Sequence, residues 1–402
     1  MQNNTPRPSV GIDIGTSRVR VVIGQKDSEG SYSIIGVGES PTAGMRKGAI
    51  VDLNGPARAL DEALLQAERM CGFEVNRATF NINGSTILST KAAGMVAVSG
   101  EEVSGEDLLR LEDVAKVGKV PANRTILSIV PHDYALDGQS DIKDPIGMAG
   151  SRLEIMASVI SVMTPQFQNV TKVAEIINLA IDGVVPSVIA SAQAVLSESE
   201  RENGVLVIDF GAATTGLAIY EEGDLKFISV LPVGSNNLTN DLAIGLQTTP
   251  DVAEVIKIGH ADATEVARDK QVSVKHNKVN HEFNLSVVDE VIEARLDEIY
   301  EMILAQLKKA GYLGKLPSGV VLVGGGAKLK NIANFTKEKL ALATRLAQPT
   351  GLKGVADKVE SSDFAAAVGL MMMDNSDGAI AANERSGSGF MSKLLGIFKS
   401  NR

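Results

Sequence analysis

Apolar runs at two different spacings over residues 9–83 predict the elements of an α/β unit. Three runs, VGIDIG, RVRVVIGQ and SYSIIGVGE, predict strands. A helix is predicted from Asn54, with Pro56 at its first position, and Gly72 ends it. The run ATFNIN at 78–83 predicts another strand. This order of elements is typical of half of an α/β module.

The pattern changes over residues 84–158. Two stretches, TKAAGMVAVSG and ANRTILSIVPHDYALDG, are typical of sheet strands with an exposed face, and a helix at 104–117 separates them. We interpret this region as an α+β insertion. The first unit then resumes with a strand at 157–162, a helix capped by Thr164 and ended by Gly183, and a helix at 187–196.

The stretch LVIDFGAATTGLAIY at 206–220 predicts a strand, a turn of very small residues and a second strand. The same pattern occurs near the N-terminus as VGIDIGTS, so Asp13 and Asp209 hold equivalent positions almost half the chain apart. We interpret this as an internal duplication. No bulky side chain screens the N–H groups of such turns, and converging N–H groups bind phosphate oxygens. The two halves are therefore predicted to face one nucleotide.

A second insertion is predicted at 236–316. It contains helices near 240–245 and 252–258, a β pair around 271–285, and a long helix at 287–310 that Ser286 caps and Gly311 ends. A buried strand then leads into the triple glycine at 324–326, where the backbone can approach the base and sugar of a ligand. A helix at 362–373 ends the body.

The last residues differ from the body. Residues 374–389 have the composition of a flexible linker, and FMSKLLGIFKSNR at 390–402 is amphipathic when projected as a helix. Its basic side predicts a helix that lies in the face of an anionic bilayer. The alternative is a helix that docks on the body or on another protein. The predicted membrane-binding residues are Phe390, Met391, Lys393, Leu394, Leu395, Ile397, Phe398 and Lys399. One such tail binds weakly, which predicts self-association.

Composition excludes several classes of function. A net charge of −10 and the absence of Trp argue against nucleic acid as a partner. The single Cys and four scattered His provide no metal cluster or internal disulfide, which suits a reducing cytosol. There is no signal-peptide core and no long uncharged apolar run. The chain is expected in the cytosol unless its tail attaches it to a surface.

Asp13 and Asp209 each end a buried strand beside a glycine-rich turn. A carboxylate repels phosphate, so we expect both to act through Mg²⁺ and its waters. Each glycine cluster alone is also explained by a tight turn, but three clusters, two of them duplicated, favour a nucleotide site. The chain has no GKS or GKT, and no GxGxxG follows the first strand, so neither a Walker A motif nor a dinucleotide fingerprint is present.

These motifs resemble the actin/Hsp70/sugar-kinase ATPase superfamily and, within it, the FtsA family of bacterial cell-division actin homologues. The superfamily resemblance rests on IDIGTS at 12–17, VIDFG at 207–211 and VGGGA at 323–327. The FtsA resemblance rests on IKDPIGMAG at 142–150, LTNDLAIGL at 238–246 and the basic amphipathic C-terminus.

The resemblance implies an α/β, actin-like (duplicated ribonuclease-H-like) two-lobed ATPase fold with an α+β subdomain inserted in each lobe. The first lobe would comprise 9–83 plus 159–203, with the SHS2-like insertion at 84–158. The second lobe would comprise 204–235 plus 317–373, with its insertion at 236–316. The linker at 374–389 and the amphipathic helix at 390–402 would follow.

The resemblance also implies ATP and Mg²⁺ as cofactors, with Mg²⁺ held through water by Asp13 and Asp209. Glu254 and Lys257 would contact ribose or adenine, and 324–327 the adenosine. The implied nucleotide-binding residues are Gly15, Thr16, Ser17, Gly211, Ala212, Ala213, Thr214, Gly234, Glu254, Lys257, Gly324, Gly325, Gly326 and Ala327.

FtsA-like proteins bind the C-terminal peptide of FtsZ through the second insertion and self-associate into filaments. They anchor FtsZ polymers to anionic lipids at the inner face of the cytoplasmic membrane, at the division site. They recruit later division proteins through the first insertion. The resemblance implies these partners and this location for the present chain.

Three departures from the family pattern bear on hydrolysis. The second phosphate loop is GAATTG at 211–216 where GGGTTD is usual, so two methyl groups are expected to crowd the phosphate side and an acid is missing at Gly216. Gly234-Ser235 replaces a usual Gly-Gly, and Val185 stands where chaperone relatives have an acid. No general base can be named. ATP binding with at most slow hydrolysis is the expectation.

Two alternatives stay open. A sugar-kinase-type phosphotransferase would need an acid in the cleft and a polar sugar pocket, and neither is evident in the sequence. A pilus-assembly actin homologue of the PilM kind shares the fold, but the basic tail and the DPIGM segment disfavour it.

Overall fold

Two sheets of matching topology form the centre of the molecule, and each carries an inserted subdomain. The structure is a computed structural model that describes residues 7–374. The predicted amphipathic helix at 390–402, and all but the first residue of the predicted linker, lie outside the described residues.

The first sheet begins with an antiparallel meander. The elements are β1 (Ser9–Ile14), β2 (Arg18–Lys26), β3 (Tyr32–Pro41), a short hairpin of β4 (Met45–Arg46) and β5 (Ala49–Ile50), α1 (Asn54–Cys71) and β6 (Arg77–Ile82). β6 lies parallel to β1. Gly72 ends α1 with a φ of +81°, as predicted. The apolar face of α1 packs closely on β3, because a Cβ at Gly38 would overlap the carbonyl oxygen of Ala63.

The first insertion is a four-stranded sheet covered by one helix. Its elements are β7 (Leu88–Ala97), α2 (Gly105–Lys116), β8 (Arg124–Leu136), β9 (Gln139–Ile142) and β10 (Arg152–Met163), in the sheet order β7-β10-β8-β9. Ser104 caps α2 in a capping box with Asp107.

β10 pairs with β7 and β8 along almost its whole length. The strand predicted at 157–162 therefore belongs to the sheet of the insertion and is not a return to the first lobe. The predicted boundary between residues 158 and 159 falls inside β10. The reason is physical: both edges of β10 have a hydrogen-bonding partner, so the apolar strand continues to Met163.

The chain then returns to the first sheet. The elements are α3 (Thr164–Ile176), β11 (Ala180–Pro186), α4 (Ser187–Val195) and α5 (Glu198–Asn203). The prediction of one helix up to Gly183 is wrong, because the helix ends at Ile176 and β11 pairs in parallel with β6. Asn178, with a φ of +56°, turns the chain from helix to strand. Thr164 is the first residue of α3 rather than its cap.

The second lobe repeats the meander of the first. The elements from here to the end of the body are β12 (Val205–Phe210), β13 (Thr215–Glu221), β14 (Asp224–Leu231), α6 (Ser235–Gly245), α7 (Pro250–His260), β15 (Gln271–His276), β16 (Val279–Asn284), α8 (Leu285–Ala310), β17 (Val320–Val323), a 3-10 helix (Gly325–Lys328), α9 (Ile332–Leu340), β18 (Thr344–Leu346), β19 (Lys353–Gly354) and α10 (Ala365–Met373).

The order β14-β13-β12-β17-β18 of this sheet matches the order β3-β2-β1-β6-β11 of the first sheet. In both sheets an antiparallel meander is followed by two parallel strands. The predicted internal duplication and the actin-like two-lobed fold are confirmed. The helices α6, α7 and α8 and the β15–β16 pair lie in the second insertion, where Asn284 rather than Ser286 caps α8.

The end of the body packs on the first sheet. β19 pairs with β3, and α10 lies on β1, where a Cβ at Gly11 would overlap the carbonyl oxygen of Ala367. Residues 353–373 thus contact the first sheet, although the predicted boundaries assign them to the second lobe. The two-residue strand β19 is too short for any apolar period to reveal it.

Candidate functional site

A cleft of about 560 Å³ opens between the two sheets, where β1 and β12 end. The walls are formed by the two glycine-rich turns, α4, the second insertion and the start of α10. Predicted site residues that line it are Asp13, Gly15, Thr16, Ser17, Asp209, Gly211, Ala212, Thr214, Glu254, Lys257, Gly324, Gly325 and Gly326. Residues that are almost two hundred positions apart in the chain therefore share one cavity.

The two turns that face the cleft have the same hydrogen bond. The Gly15 N–H donates to the Arg18 carbonyl at 3.0 Å, and the Gly211 N–H donates to the Thr214 carbonyl at 2.9 Å. A Cβ at Gly15 would stand 2.6 Å from the Arg18 carbonyl oxygen, so this turn requires glycine. The duplicated turns thus form a pair of small-residue loops of the type that binds phosphate.

Each aspartate is held by one polar side chain. Asn81 Nδ2 donates to Asp13 Oδ1 at 2.6 Å, and Ser191 Oγ donates to Asp209 Oδ2 at 2.8 Å. Among the described residues neither carboxyl group makes an ion pair at or within 4 Å. Asp13 is buried and Asp209 is partly buried, and neither has a direct cationic partner among these residues.

Burial dominates the electrostatics of both groups. It raises the pKa of Asp13 to about 7, with the charges of Asp209 and Asp363 adding to the rise and Arg20 opposing it. Burial likewise raises the pKa of Asp209, against the hydrogen bond from Ser191. A divalent cation in the cleft would favour the ionised form of both carboxyl groups.

Helix α4 connects the two aspartates. Ser187 Oγ accepts from Asn81 Nδ2 at 3.0 Å, and Ser191, one turn later, bonds Asp209. Sequence reasoning missed Asn81 and both serines. The available signal was the i, i+4 spacing of Ser187 and Ser191 in a mostly apolar helix that follows Pro186.

A third carboxylate, Asp363, lines the cleft and was also missed. Arg20 Nη2 lies 2.7 Å from Asp363 Oδ2, and Lys328 Nζ lies 2.7 Å from Asp363 Oδ1. Burial opposes ionisation of Asp363, but Arg20 and Lys328 outweigh it and lower its pKa. Asp363 thus joins β2 of the first lobe to the 3-10 helix that begins within the triple glycine of the second lobe.

The missing acid at Gly216 has a structural explanation. Gly216 lies directly opposite Asp209 across the β12–β13 ladder. A Cβ at Gly216 would stand 2.9 Å from Val188 Cβ, so α4 occupies the space that an acidic side chain would need. An acidic side chain at position 216 would therefore require Val188 and α4 to move.

Glu254 and Lys257 lie on one face of α7. Lys257 Nζ donates to Thr239 Oγ1 at 2.8 Å and lies 2.7 Å from Glu254 Oε2.

A Cβ at Gly324, whose φ is +88°, would stand 2.6 Å from Asp209 Oδ1. The triple glycine therefore lets the backbone pass directly beside the carboxylate.

Ala213, Gly234 and Ala327 are not among the residues that line the cleft. Gly234 supports the turn from behind, because a Cβ there would stand 2.6 Å from the Gly211 carbonyl oxygen. Ala327 is buried in the second-lobe core. Of the two alanines expected to crowd the phosphate side, only Ala212 reaches the cavity.

Within residues 7–374, no three His, Cys, Asp or Glu side chains are grouped to ligate a metal ion directly. The donor set still fits Mg²⁺, since that ion keeps several waters and takes one or two carboxylates together with phosphate oxygens. Over the same residues, no helix has the length and apolar content required to cross a membrane.

Two sheets, each an antiparallel meander extended by parallel strands, face one cleft and define an actin-like ATPase fold. Solved structures with low sequence identity to this chain have a similar fold. The PilM-PilN type IV pilus biogenesis complex matches with a TM-score of 0.65 at 16% identity, over 90% of this chain and 97% of that chain. MreB5 of Spiroplasma citri bound to ADP matches with a TM-score of 0.54 at 13% identity, over 90% of this chain and 94% of that chain.

Sequence comparison identifies the family. A family model described as "Cell division protein FtsA" matches residues 206–369, and one described as "SHS2 domain inserted in FTSA" matches residues 84–161. Cell division protein FtsA of Pseudomonas aeruginosa is 33% identical over 90% of this chain and 88% of its own length. The Bacillus subtilis protein of that name is 34% identical over 87% and 80%, respectively. The chain belongs to the FtsA family of cell division proteins.

Proposed function

We propose that the protein binds Mg²⁺–ATP in the cleft and acts as an assembly switch that attaches FtsZ polymers to the inner face of the cytoplasmic membrane. The observation that carries the proposal is the pair of equivalent Asp-containing turns around one cavity, in a chain of the FtsA family. The division site is the proposed location.

Phosphate binding is assigned to the turns at 15–17 and 211–214, with Gly234 as the support of the second turn. Adenosine binding is assigned to Glu254, Lys257 and the segment 324–327. Asp13 and Asp209 would hold Mg²⁺ through its waters, and the ion supplies positive charge that neutralises the phosphates. Solved structures of MreB5 with ADP and with AMPPNP support a nucleotide in this fold.

The cleft is better suited to binding than to hydrolysis. Asn83, Ser187 and Ser191 are neutral, and Val185, at the position of the acid in chaperone relatives, is a buried apolar residue. The Asp363 carboxylate forms ion pairs with Arg20 and Lys328. The proposed activity is therefore a nucleotide-dependent switch with at most slow ATP turnover.

Attachment to the membrane is assigned to the helix predicted at 390–402. Its linker begins at a fixed point, because Asp374 accepts from the Val10 N–H at 2.7 Å and from Thr79 Oγ1 at 2.9 Å. The second insertion at 236–316 would bind the C-terminal peptide of FtsZ. The first insertion at 84–158 would recruit later division proteins, and self-association into filaments would join several weak tails on one membrane.

Co-sedimentation with anionic vesicles tests the membrane part. The full chain should pellet with the vesicles, and a chain that ends at residue 389 should stay in the supernatant. Equal pelleting of the two forms would refute the tail as the anchor. Calorimetric titration of the full chain with Mg²⁺–AMPPNP tests the nucleotide part, and capture of the chain on an immobilised FtsZ C-terminal peptide tests the adaptor part.

A further inference from the structure

Asn83 lies where the chain leaves the first sheet and begins the first insertion. Its Nδ2 donates to Oγ1 of Thr214 at 3.0 Å, so it joins the first lobe to the second phosphate turn. The orientation of the amide is fixed, because Asn83 Oδ1 accepts from the Gly84 N–H at 2.8 Å. A first-lobe side chain thus contacts a candidate phosphate-binding residue of the second lobe.

The contact leaves Thr214 free to donate. A hydroxyl group that accepts from an amide keeps its own proton for a second acceptor. Thr214 lines the cleft, and its carbonyl group closes the phosphate turn. Gly48 approaches Thr214 from the β4–β5 hairpin, where a Cβ would stand 2.8 Å from Thr214 Cγ2. Two first-lobe segments therefore surround this threonine.

Asn83 is also tied to both ends of the first insertion. Gln166 of α3, just after the insertion, donates from Nε2 to the Asn83 carbonyl at 2.5 Å and accepts from Thr86 Oγ1. Arg124 of β8 donates to the Thr86 carbonyl and, at 3.0 Å, to Ser161 Oγ. Hydrogen bonds thus link the segments that enter and leave the insertion, and they meet at Asn83, the residue that contacts the phosphate turn.

The insertion meets the second lobe a second time, away from the cleft. Lys143, just after β9, lies 2.7 Å from Asp224 at the start of β14, and Lys226 lies 3.4 Å from the same carboxylate. Among the described residues, this ion pair holds the insertion directly to the second lobe away from the cleft, whereas the contact at Asn83, just before the insertion, borders the nucleotide cleft.

We infer that Asn83 is a positioning residue that orients the Thr214 hydroxyl toward a bound phosphate and transmits phosphate occupancy to the first insertion. The inference rests on the proposed nucleotide function. A phosphate oxygen that accepts from Thr214 extends the chain of hydrogen bonds to Asn83, and each bond in such a chain polarises the next. Phosphate binding therefore strengthens the attachment of the insertion to the second lobe, and loss of phosphate weakens it.

Hydrogen exchange of the full chain, measured by mass spectrometry with and without Mg²⁺–AMPPNP, tests this inference. In the native protein the nucleotide should slow exchange at residues 84–88 and 139–144. The variants Asn83→Ala and Thr214→Val should bind AMPPNP about three- to tenfold more weakly, as expected for one lost hydrogen bond. At saturating nucleotide both should lack the slowing in the insertion.

The double variant separates a transmitted effect from two independent defects. If Thr214 and Asn83 act together, Asn83→Ala combined with Thr214→Val should weaken AMPPNP binding no more than either single variant does, whereas independent defects should multiply. Asn203→Ala is the matched control, since Asn203 is exposed on α5 and donates to Ser199. It should behave as the native chain.

The outcomes separate the inference from the proposed function. If the native chain does not bind AMPPNP, both fail. If Asn83→Ala binds AMPPNP and the insertion is still protected, the positioning role fails while nucleotide binding stands. The variant Thr214→Ser keeps the hydroxyl group, so the nucleotide should still slow exchange in the insertion. Loss of that protection in Thr214→Ser would contradict the positioning role.

Discussion

Gly369 of α10 lies directly against Ala190 of α4, so that a Cβ added to Gly369 would overlap the Ala190 carbonyl oxygen. α4 carries Ser187 and Ser191 into the cleft, while α10 follows Asp363 in the chain. The two helices therefore meet without a side chain between their backbones. This contact fixes the distance between the elements that hold Asp13 and Asp209.

The substitution Gly369→Ala tests this contact. A methyl group can be accommodated only if α4 and α10 separate, and such overpacking typically costs about 1–3 kcal/mol, occasionally more. The free energy of unfolding, measured in urea, should fall by about 1–3 kcal/mol or more. The affinity for nucleotide should fall with it. Gly105→Ala in α2 is the matched control, because a Cβ there meets nothing within 4 Å. Equal stability of the two variants would contradict the argument.

The sequence was sufficient to predict the parts of the site that are local. Asp13 with Gly15, and Asp209 with Gly211, are each two residues apart at the end of an apolar strand, and their turns need no distant contact to form. The duplication was visible for the same reason. α1 and its end at Gly72 were predicted because helical spacing and a terminal glycine are local signals.

The residues that the sequence did not reveal depend on tertiary contacts. Asn81 and Asp363 gain their roles only where β6 and the turn before α10 meet the cleft, and no short motif marks either. β11 was missed because an apolar segment after a helix cannot be distinguished from more helix by spacing alone. It becomes a strand because β6 offers it a parallel partner.

The substitution Asp13→Asn should have opposite effects on stability and on binding. The pKa of Asp13 is about 7 in the folded protein and about 3.8 when unfolded, so the folded state holds the extra proton between these values. Stability therefore falls as pH rises through this range. The nucleotide-free variant should be more stable than the native chain at pH 8 and nearly equal to it at pH 4. Mg²⁺ should no longer enhance its AMPPNP binding, as titration with and without chelator would show.

Glu112 provides a second test of the same physics away from the cleft. This carboxyl group of α2 is buried at 3% exposure, its Oε2 accepts no hydrogen bond, and burial raises its pKa to about 7. Glu112→Gln should therefore stabilise the chain at pH 8 more than at pH 5, as thermal unfolding at the two pH values would show. Nucleotide binding should be unchanged. Destabilisation at pH 8 would show that the charge is compensated in the fold.

Charge reversal in the tail, Lys393→Glu with Lys399→Glu, tests how the predicted membrane helix recognises its surface. Each basic residue near an anionic bilayer contributes about 1 kcal/mol, so the change should weaken binding to phosphatidylserine vesicles at least tenfold. The defect should shrink as salt rises, because screening weakens the native contacts. Lys119→Glu with Lys337→Glu makes the same charge change at two exposed positions of the body and should pellet normally. An equal loss in both variants would mean that net charge, rather than the tail, directs binding.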